Sequence, residues 1–474
     1  MRVKHNPFQH ILSDFPRNLS NIHVSLDDDT NLNCIVWADD IILLSESEEG
    51  LQSLLDDLHR YSESNHLKTN TDKTKCMIFN KTGRLMRRNF SLGERKLECV
   101  RSYKYLGLIF TPSGKIKSAL VDLRSRALKA YMSLRNKLGG HFKEYINDSI
   151  TLFDTLVKPI LLYGSDFWGY LKLPANNPIE NLHTQFCRHL LGVQKNTANV
   201  GVLLELGRTP LALLAKKTAV KNWERIRRLE ANQLLVTSYK NAHAYDLDWH
   251  SGIKNGLEKN GMFDLYIERT PYTKNINVKL FNRLADTFRQ DSFAKMEMPR
   301  SKLRTYKLIK YEIGQEKYLT EIRNIKHRVS MTKLRLSNHR LMIEVGRYPP
   351  NKLESHERIC QVCKTAVEDE VHFITECKLY NVLRKTLFDK CTEEKPNFPY
   401  YTKQEKFIHI MTSPSQSASL AYFVHAAFAR RDEAHKIPNF EHVDWEILET
   451  RLSQLCGANQ PLQGDEEHEG ECLL

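Results

Sequence analysis

The sequence predicts an α+β fold in which a β-hairpin comes early and helices dominate the rest. Three observations predict it. Two apolar runs flank the adjacent carboxylates Asp39 and Asp40, a pattern typical of a tight hairpin with a charged tip. Apolar residues then recur at helical spacing from 116 to 230. Near residue 360, cysteines and a histidine have the spacing of a small metal-binding module.

Length and composition indicate several domains. The chain has 474 residues, which is too long for one ordinary hydrophobic core. We expect five segments: the hairpin segment 1–115, a helical segment 116–240, a connecting segment 241–299 of mixed character, a basic segment 300–395 with the Cys-His motif, and C-terminal helices with an acidic disordered tail, 396–474.

The charge of the chain favours a polyanionic partner. The formal net charge is +13, and residues 300–352 carry 14 Lys or Arg against 4 Glu, so most of the excess lies there. No apolar run is long enough to cross a membrane. Ten scattered cysteines do not form a disulfide framework, so we expect an intracellular protein, nuclear or cytoplasmic.

The hairpin is the first candidate site. Trp37-Ala38-Asp39-Asp40 lies between Ile35-Val36 and a run of four apolar residues that begins at Ile41. Burying two carboxylates beside apolar strands is costly unless a cation joins them, and Mg²⁺ prefers carboxylate oxygen. The alternative is a solvated Asp-Asp turn.

Further elements follow the hairpin in order. Ser47 is a predicted N-cap of a helix whose apolar positions run from Leu51 to Tyr61. A polar loop (66–74) leads to a strand over 75–79, and 100–110 forms another β element that ends in the turn at 111–114.

The helical segment 116–240 shows one apolar stripe: Leu120, Leu123, Ala127, Ala130 and Leu134. Basic residues lie between or opposite, either as a solvated face or as a nucleic-acid contact. Segment 241–299 contains a helical run near 278–288.

Cys360, Cys363, His372 and Cys377 give C-x2-C-x8-H-x4-C. Three thiolates and one imidazole close a tetrahedral structural zinc site, which would help to fold a segment with little core. Cys391 and His356 are substitute ligands, and four unlinked residues are the alternative interpretation.

Upstream of this motif, basic residues alternate with tyrosines. Such groups neutralise phosphates and stack on unpaired bases, whereas the alternative is a solvated helical surface. The residues predicted to contact nucleic acid are Lys302, Arg304, Arg323, Arg328, Lys333, Arg335 and Arg340.

Taken together, the motifs resemble the reverse transcriptases of non-LTR (LINE-like) retrotransposons, from about Phe8 to Arg384. The hairpin resembles their aromatic-Ala-Asp-Asp motif, with Trp37 where Tyr or Phe is usual. Further similar segments occur in the family's order: Asn70–Phe79, Tyr103–Gly107, Pro159–Gly164, Glu205–Pro210 and the C-terminal Cys-His motif.

The resemblance implies a partial polymerase palm, a helical thumb and a zinc knuckle. Asp39 would be the principal Mg²⁺ ligand with Asp40 beside it. Lys73 would act as general acid or charge stabiliser near the incoming triphosphate. Tyr105-Leu106-Gly107 would grip the primer. The implied partners are RNA and DNA as template and primer, with dNTPs as substrates.

The family's third palm carboxylate has no good candidate. Asp14 lies in a helix-like segment, and Asp27-Asp28-Asp29 indicates a solvated turn. We therefore expect a C-terminal portion of a reverse transcriptase, truncated and inactive alone. The rival hypotheses are a zinc-dependent nucleic-acid-binding protein without enzymatic activity and a decaying transposon remnant.

Overall fold

A computed structural model of the protein describes residues 15–27, 30–174, 176–229, 233–267, 274–350 and 352–437. These residues form a mixed fold of helices and small sheets, which confirms the α+β prediction at that level. The chain divides into two compact units. Unit 1 comprises Met1–Lys137, Thr151–His183 and Thr209–Phe288, and unit 2 comprises Leu138–Ile150, Thr184–Arg208 and Arg289–Leu474.

Unit 1 contains the strands, which form small separate sheets. Antiparallel pairs join β1 with β2, β3 with β4 and β8 with β9, and a three-stranded sheet has the order β5-β7-β6 with β5 parallel to β7. Their bounds are β1 (Val24–Ser25), β2 (Asn31–Leu32), β3 (Cys34–Trp37), β4 (Asp40–Leu43), β5 (Lys75–Cys76), β6 (Phe90–Leu92), β7 (Arg95–Cys99), β8 (Tyr103–Tyr105) and β9 (Leu108–Phe110).

Helix α1 (Glu48–Ser64) begins where the sequence predicts. The Ser47 hydroxyl accepts a 3.0 Å hydrogen bond from the Gly50 amide, which satisfies one of the free N–H groups of the first turn. The predicted apolar positions of α1 pack on the sheet strands. The buried cluster consists of Phe15, Leu55, Leu58, Tyr61, Cys76, Phe90, Leu92 and Leu97.

The predicted strand at 75–79 is shorter than expected, because β5 ends at Cys76 and Phe79 is exposed. Strands β6 and β7 were not predicted. In β7 the apolar Leu97 has charged residues on both sides, so its period-two pattern extends over too few positions to identify a strand by itself.

The remaining helices, in chain order, are α2 (Lys117–Leu138), α3 (His141–Glu144), α4 (Ile146–Leu156), α5 (Lys158–Leu161), α6 (Ser165–Trp168), α7 (Pro178–Leu191), α8 (Asn199–Glu205), α9 (Leu211–Arg227), α10 (Gln233–Ala244), α11 (Asp248–Lys259), α12 (Asp264–Ile267), α13 (Lys274–Glu297), α14 (Tyr318–Glu321), α15 (Ile325–Arg335), α16 (Met342–Val345), α17 (Glu370–Thr375), α18 (Asn381–Glu394), α19 (Lys403–Thr412) and α20 (Ser417–Lys436). No described helix is long and apolar enough to span a membrane.

The apolar stripe predicted for α2 is confirmed. Leu120, Leu123, Ala127 and Leu134 are all buried, and Tyr131 is buried in place of its neighbour Ala130. A buried stripe of this width fixes one face of α2 in the protein interior and leaves the basic residues at the other positions.

The connecting segment 241–299 is more regular than predicted, because the end of α10 and all of α11, α12 and α13 lie in it. Its helical period is diluted by Gly and Asn, which weaken a helix signal. Part of the segment packs with α9 in a second core of unit 1. That core consists of Leu213, Val220, Trp223, Ile253, Leu257, Met262, Leu280 and Leu284.

Unit 2 is built around α15 and α20, which pack against each other. The predicted C-terminal helices are present as α19 and α20. The acidic tail predicted from Gly464 lies outside the described residues, as do Asp14, Asp28 and Asp29.

Candidate functional site

The acidic pair occupies the tip of the β3–β4 hairpin. Trp37 pairs with Asp40, so Ala38 and Asp39 form a two-residue turn. Ala38 has a φ of 56°, a left-handed conformation that an L-residue adopts at a cost of about 1 kcal/mol or more. The turn that carries Asp39 therefore includes one residue, Ala38, in an unfavourable backbone conformation.

Both carboxylates are exposed, and the Trp37 ring is 64% exposed. Burial therefore does not force a cation onto this pair, contrary to the prediction. The apolar residues of β3 and β4 are only partly buried apart from Cys34, and a two-residue turn carries its side chains beyond the sheet. Exposed carboxylates remain accessible to a metal ion that arrives with a substrate phosphate.

The third predicted motif, which ends in Tyr105-Leu106-Gly107, lies near the acidic pair. Burial and the negative charge of Asp40 together raise the pKa of Tyr105, so its phenol and this carboxylate lie within electrostatic range. The Tyr105 hydroxyl is buried without a hydrogen-bond partner among the described residues. The fold thus brings together two motifs that are 65 residues apart in the chain.

Lys73 belongs to the same region through its backbone. The Tyr103 hydroxyl donates a 3.2 Å hydrogen bond to the Lys73 carbonyl, and the Lys73 side chain is exposed. The loop that carries Lys73 is closed by Asn70, which accepts hydrogen bonds from the Lys73 amide at its side chain and its carbonyl. The structure therefore ties this loop to β8.

The turn between β8 and β9 is fixed by side chains from two other elements. Leu106 and Gly107 both have positive φ, 44° and 81°, as in a type I′ hairpin turn. The Tyr163 hydroxyl donates to the Leu106 carbonyl at 2.7 Å, and Arg126 of α2 donates to the Gly107 carbonyl at 2.6 Å. Tyr163 belongs to the fourth predicted motif, so unit 1 brings four motifs to one place.

Arg126 is itself oriented by Asp122 one turn earlier. Its Nε lies 2.9 Å from the Asp122 carboxylate, which also lies 3.3 Å from the Lys104 ammonium on β8. The Asp122 carboxylate of α2 thus connects this helix to the β8–β9 hairpin. Sequence periodicity alone placed Arg126 among the residues beside the stripe and could not show this contact.

The described residues contain no third ligand for the hairpin pair. A cluster of three or more His, Cys, Asp or Glu side chains that could hold a metal is found at one place in them, and it does not include Asp39 or Asp40. Asp27 instead closes its own turn, accepting a 2.6 Å hydrogen bond from the Thr30 amide.

The cluster that does exist is the predicted Cys-His set. One ligand atom each from Cys360, Cys363, His372 and Cys377 lies within 4.8 Å of all the others. The Cys360 and Cys377 sulfurs are 3.9 Å apart, and the Cys363 sulfur is 3.2 Å from His372 Nε2. A tetrahedral ion with metal–sulfur bonds of about 2.3 Å requires sulfur–sulfur distances of about 3.8 Å. The four residues therefore fit a tetrahedral metal ion.

The local chain explains why these four residues meet. A bridge between Ile359 and Val367 closes a tight hairpin around the two cysteines of the C-x2-C pair. Asp369 caps α17 by accepting from the His372 amide at 2.8 Å, which sets the helix that carries the histidine. Hydrogen bonding from the Cys377 thiol lowers the pKa of the Cys360 thiol, so the thiolate form of Cys360 is favoured.

The long spacer between Cys363 and His372 has a structural purpose. Glu376, which belongs to the shorter spacer between His372 and Cys377, lies 3.5 Å from His372 Nδ1, the arrangement in which a carboxylate orients a metal-binding imidazole. Glu368 forms a buried ion pair with Arg431 of α20, and the buried Glu370 pairs with the half-buried Arg304. The acids of the spacer thus anchor the module within unit 2. The two substitute ligands are not used: Cys391 is buried in α18 and His356 is exposed.

The predicted nucleic-acid contacts fall into two groups. Arg304 is paired with Glu344 and Glu370, Arg328 is buried and donates to the carbonyls of Ile322 and Lys143, and Arg335 is buried. A buried guanidinium that is already paired cannot neutralise a phosphate without losing its partners. The phosphate-binding prediction therefore rests on the other four residues: Lys302, Arg323, Lys333 and Arg340.

Arg335 instead sits at the centre of a buried polar network that the sequence reading missed. Its Nε donates to Glu205 at 2.6 Å, its Nη2 donates to Glu316 at 2.7 Å, and its Nη1 donates to the Met411 carbonyl at 3.2 Å. The hydroxyls of Tyr306 and Tyr318 donate to the same Glu205 carboxylate at 2.8 and 2.5 Å. Glu205 begins the fifth motif, so that motif supplies the buried acceptor of unit 2. No signal in the basic stretch distinguishes this arginine from its exposed neighbours.

Comparisons with known proteins agree with part of the sequence analysis. Residues 7–110 match the family described as reverse transcriptase (RNA-dependent DNA polymerase). That span contains the acidic hairpin, the Lys73 loop and β8–β9. A putative uncharacterized transposon-derived protein of Caenorhabditis elegans is 26% identical over 165 residues, which are 34% of this chain and 58% of that protein. The resemblance to reverse transcriptases is thus confirmed for residues 7–110, while the non-LTR subtype stays a prediction.

Proposed function

We propose that this chain carries part of the polymerase site of a non-LTR retrotransposon reverse transcriptase. One observation carries the proposal: motifs that are widely spaced in the sequence converge in unit 1. Asp40 lies in electrostatic range of Tyr105, Tyr103 bonds the Lys73 loop, and Tyr163 bonds the turn at Leu106. Such convergence is not expected of motifs that match by chance.

In this proposal Asp39 and Asp40 hold Mg²⁺, which would neutralise the charge that develops on the reacting phosphate oxygens. Their oxygen donors and their exposure suit a hard cation that keeps positions open for substrate phosphates. The Lys73 ammonium stabilises the triphosphate of a dNTP. The Tyr105-Leu106-Gly107 turn, fixed by Arg126 and Tyr163, supports the primer strand.

We infer that the chain does not polymerise nucleotides by itself. Two carboxylates on one turn can bind one cation, but two-metal catalysis needs ligands that hold two ions about 4 Å apart. No third ligand joins Asp39 and Asp40 among the described residues. An intracellular location, nuclear or cytoplasmic, is part of this proposal.

Metal binding and primer extension test the proposal separately. Electron paramagnetic resonance of bound Mn²⁺ should show a site in the wild-type chain that is lost in the Asp39→Ala/Asp40→Ala variant. The Asp148→Ala variant removes an exposed carboxylate of unit 2 and should keep the site. Extension of a primer on an RNA template should be absent from all three.

Two outcomes would contradict these claims. Mn²⁺ binding that survives in the double variant would show that the pair is not the cation site. Primer extension that is seen in the wild-type chain but not in the double variant would refute the claim that the chain is inactive. It would at the same time support Asp39 and Asp40 as the cation site.

A second candidate function is favoured by the Cys-His cluster. We propose that its three sulfurs and one nitrogen hold structural Zn²⁺, and that the exposed basic residues near it bind single-stranded RNA. Neutralising several phosphates makes such affinity fall steeply with salt. This function requires no polymerase activity.

Fluorescence anisotropy with a labelled RNA tests the second function. The Arg323→Gln/Arg340→Gln variant should weaken binding and lower the slope of log affinity against log salt by roughly 0.7 per lost contact. Lys436→Gln is the control, because Lys436 is exposed and paired with Glu433. Zinc chelation should also weaken binding. A decaying remnant would bind neither zinc nor RNA.

A further inference from the structure

The helical part of unit 1 contains a lysine without a counter-ion. Lys216 of α9 is half-buried, and its ammonium nitrogen lies 5.7 Å from the centre of the Tyr170 ring. No carboxylate pairs with it among the described residues. Burying an ammonium without a negative partner is unfavourable. The ring face offsets part of this cost, since cations are attracted to aromatic faces.

The charge of Lys259 makes the charged form of Lys216 still less favourable. Burial lowers the pKa of Lys216, and the second ammonium at Lys259 lowers it further. Lys259 is the last residue of α11 and is exposed. The two like charges therefore repel each other, and a negative group between them would stabilise both.

Tyr170 adds a donor to the same region. Its hydroxyl is buried without a hydrogen-bond partner among the described residues, although buried polar atoms are nearly always bonded. Burial also raises the pKa of Tyr170 to about 12, so the hydroxyl keeps its proton at neutral pH and can donate it to an acceptor.

Two glycines of α11 allow Tyr170 to pack closely against this helix. A Cβ at Gly252 would lie 2.4 Å from the Tyr170 carbonyl oxygen, and one at Gly256 would lie 2.0 Å from its ring carbon Cε1. The tyrosine therefore runs along a groove that only glycine permits, with its backbone at Gly252 and its ring at Gly256. Lys259 follows Gly256 by three residues and lies on the same helix face.

We propose that Lys216, Lys259 and the Tyr170 hydroxyl form a binding site for a phosphate group. The Lys216 ammonium lies over the Tyr170 ring, and that ring packs against Gly256, three residues before Lys259 on α11. Two ammonium groups and one hydroxyl donor are thus grouped around one tyrosine, and a tetrahedral oxyanion has enough acceptor oxygens to bind all three. The phosphate belongs either to a nucleic-acid backbone or to a free phosphate monoester. The site does not depend on the acidic hairpin, so it stands whether or not the polymerase assignment is correct.

Two probes distinguish the sources in the full-length chain. Inorganic phosphate is titrated at constant ionic strength while the thermal unfolding midpoint is followed, and a fluorescein-labelled single-stranded oligonucleotide is titrated by anisotropy. The variants are Lys216→Gln and Tyr170→Phe, the second of which removes only the hydroxyl. The control is Lys217→Gln, whose ammonium lies over the Phe281 ring at 5.1 Å.

Saturable stabilisation by phosphate is expected for the wild type and the Lys217→Gln control. Both site variants should weaken phosphate binding at least about fivefold, as expected when a charge-assisted contact is lost. If a nucleic-acid backbone is the source, the same variants weaken oligonucleotide binding and phosphate competes with it. If a phosphate monoester is the source, oligonucleotide affinity does not change.

The proposal is overturned by any of three results. The first is that phosphate does not stabilise the wild-type chain in a saturable way. The second is that Lys217→Gln loses as much phosphate affinity as Lys216→Gln. The third is that Tyr170→Phe binds phosphate as tightly as the wild type. Far-ultraviolet circular dichroism confirms that each variant is folded before it is titrated.

Discussion

The Tyr163 hydroxyl donates a 2.7 Å hydrogen bond to the carbonyl of Leu106, 57 residues earlier in the chain. The same ring lies against Gly107, where an added Cβ would come within 3.0 Å of Tyr163 Cε1. A tyrosine from one motif thus holds the backbone of another by a hydrogen bond and a close packing contact. This pair links the helical part of unit 1 to the β8–β9 turn.

Replacing Gly107 should therefore lower the free energy of unfolding by more than backbone strain alone would. Gly107→Ala puts an L-residue at a φ of +81° and pushes its methyl group against Tyr163. Gly114→Ala is the matched control, because Gly114 has a φ of +65° and open space around it. We expect the control to lose about 1 kcal/mol of unfolding free energy and Gly107→Ala to lose about 1 kcal/mol more, through the displaced hydrogen bond. Urea denaturation measures both, and equal losses would contradict the contact.

The Glu205–Arg335 pair makes the second prediction. Burial lowers the pKa of Arg335, but the charges of Glu205 and Glu316 outweigh it and raise the pKa, so the guanidinium stays charged. Glu205→Gln removes one charge from a buried pair and should destabilise the protein by about 3 kcal/mol or more. Glu433→Gln breaks the exposed pair with Lys436 and should change stability by less than about 0.5 kcal/mol. A loss below 1 kcal/mol for Glu205→Gln in urea denaturation would show that the network is not structural.

His250 makes the stability of unit 1 depend on pH in the acid range. Burial lowers the pKa of His250 from its ordinary value of 6.5, with a further lowering by His243 and Lys254 and an opposing effect of Asp246. The unfolded chain therefore binds this proton more readily than the folded chain. Stability is retained above pH 6.5 and is lost as the pH falls below that value towards the folded pKa.

The urea midpoint at pH 7.5 and at pH 5.5 checks this dependence. The difference between the two midpoints should be smaller in His250→Gln than in the wild type, because the variant has no proton to bind at this position. The variant also loses the hydrogen bond between His250 and Tyr266. This loss lowers the urea midpoint at both pH values alike, so it cancels when the two midpoints of one protein are subtracted. An unchanged difference would show that His250 does not set the acid sensitivity.

Zinc removal is the fourth prediction. If the Cys-His cluster binds Zn²⁺, chelation should release about one ion per chain and lower the thermal unfolding midpoint, since binding energy at a structural site is folding energy. Cys363→Ser should bind no zinc, whereas Cys391→Ala should bind it normally because Cys391 is absent from the cluster. A colorimetric zinc assay and a thermal melt measure these effects. Normal zinc content in Cys363→Ser would remove this cysteine from the ligand set.

The sequence by itself determined the features that depend on local patterns. The apolar runs around Asp39 and Asp40 set the hairpin, the cap at Ser47 set the start of α1, and the spacing of the Cys-His motif set the cluster. Each of these features depends on residues close together in the chain, where periodicity, capping and ligand spacing act directly. That is why each was predictable without contacts.

The tertiary structure alone decided the environment of each side chain. Arg335 and Arg340 are indistinguishable basic residues in the sequence, yet Glu205, 130 residues away, makes one of them a core residue while the other is exposed. The exposure of the acidic pair, the anchoring of the turn by Tyr163 and the isolation of Lys216 likewise follow from long-range packing. Burial and charge pairing are properties of the folded neighbourhood, and a charge takes its function from the groups that surround it.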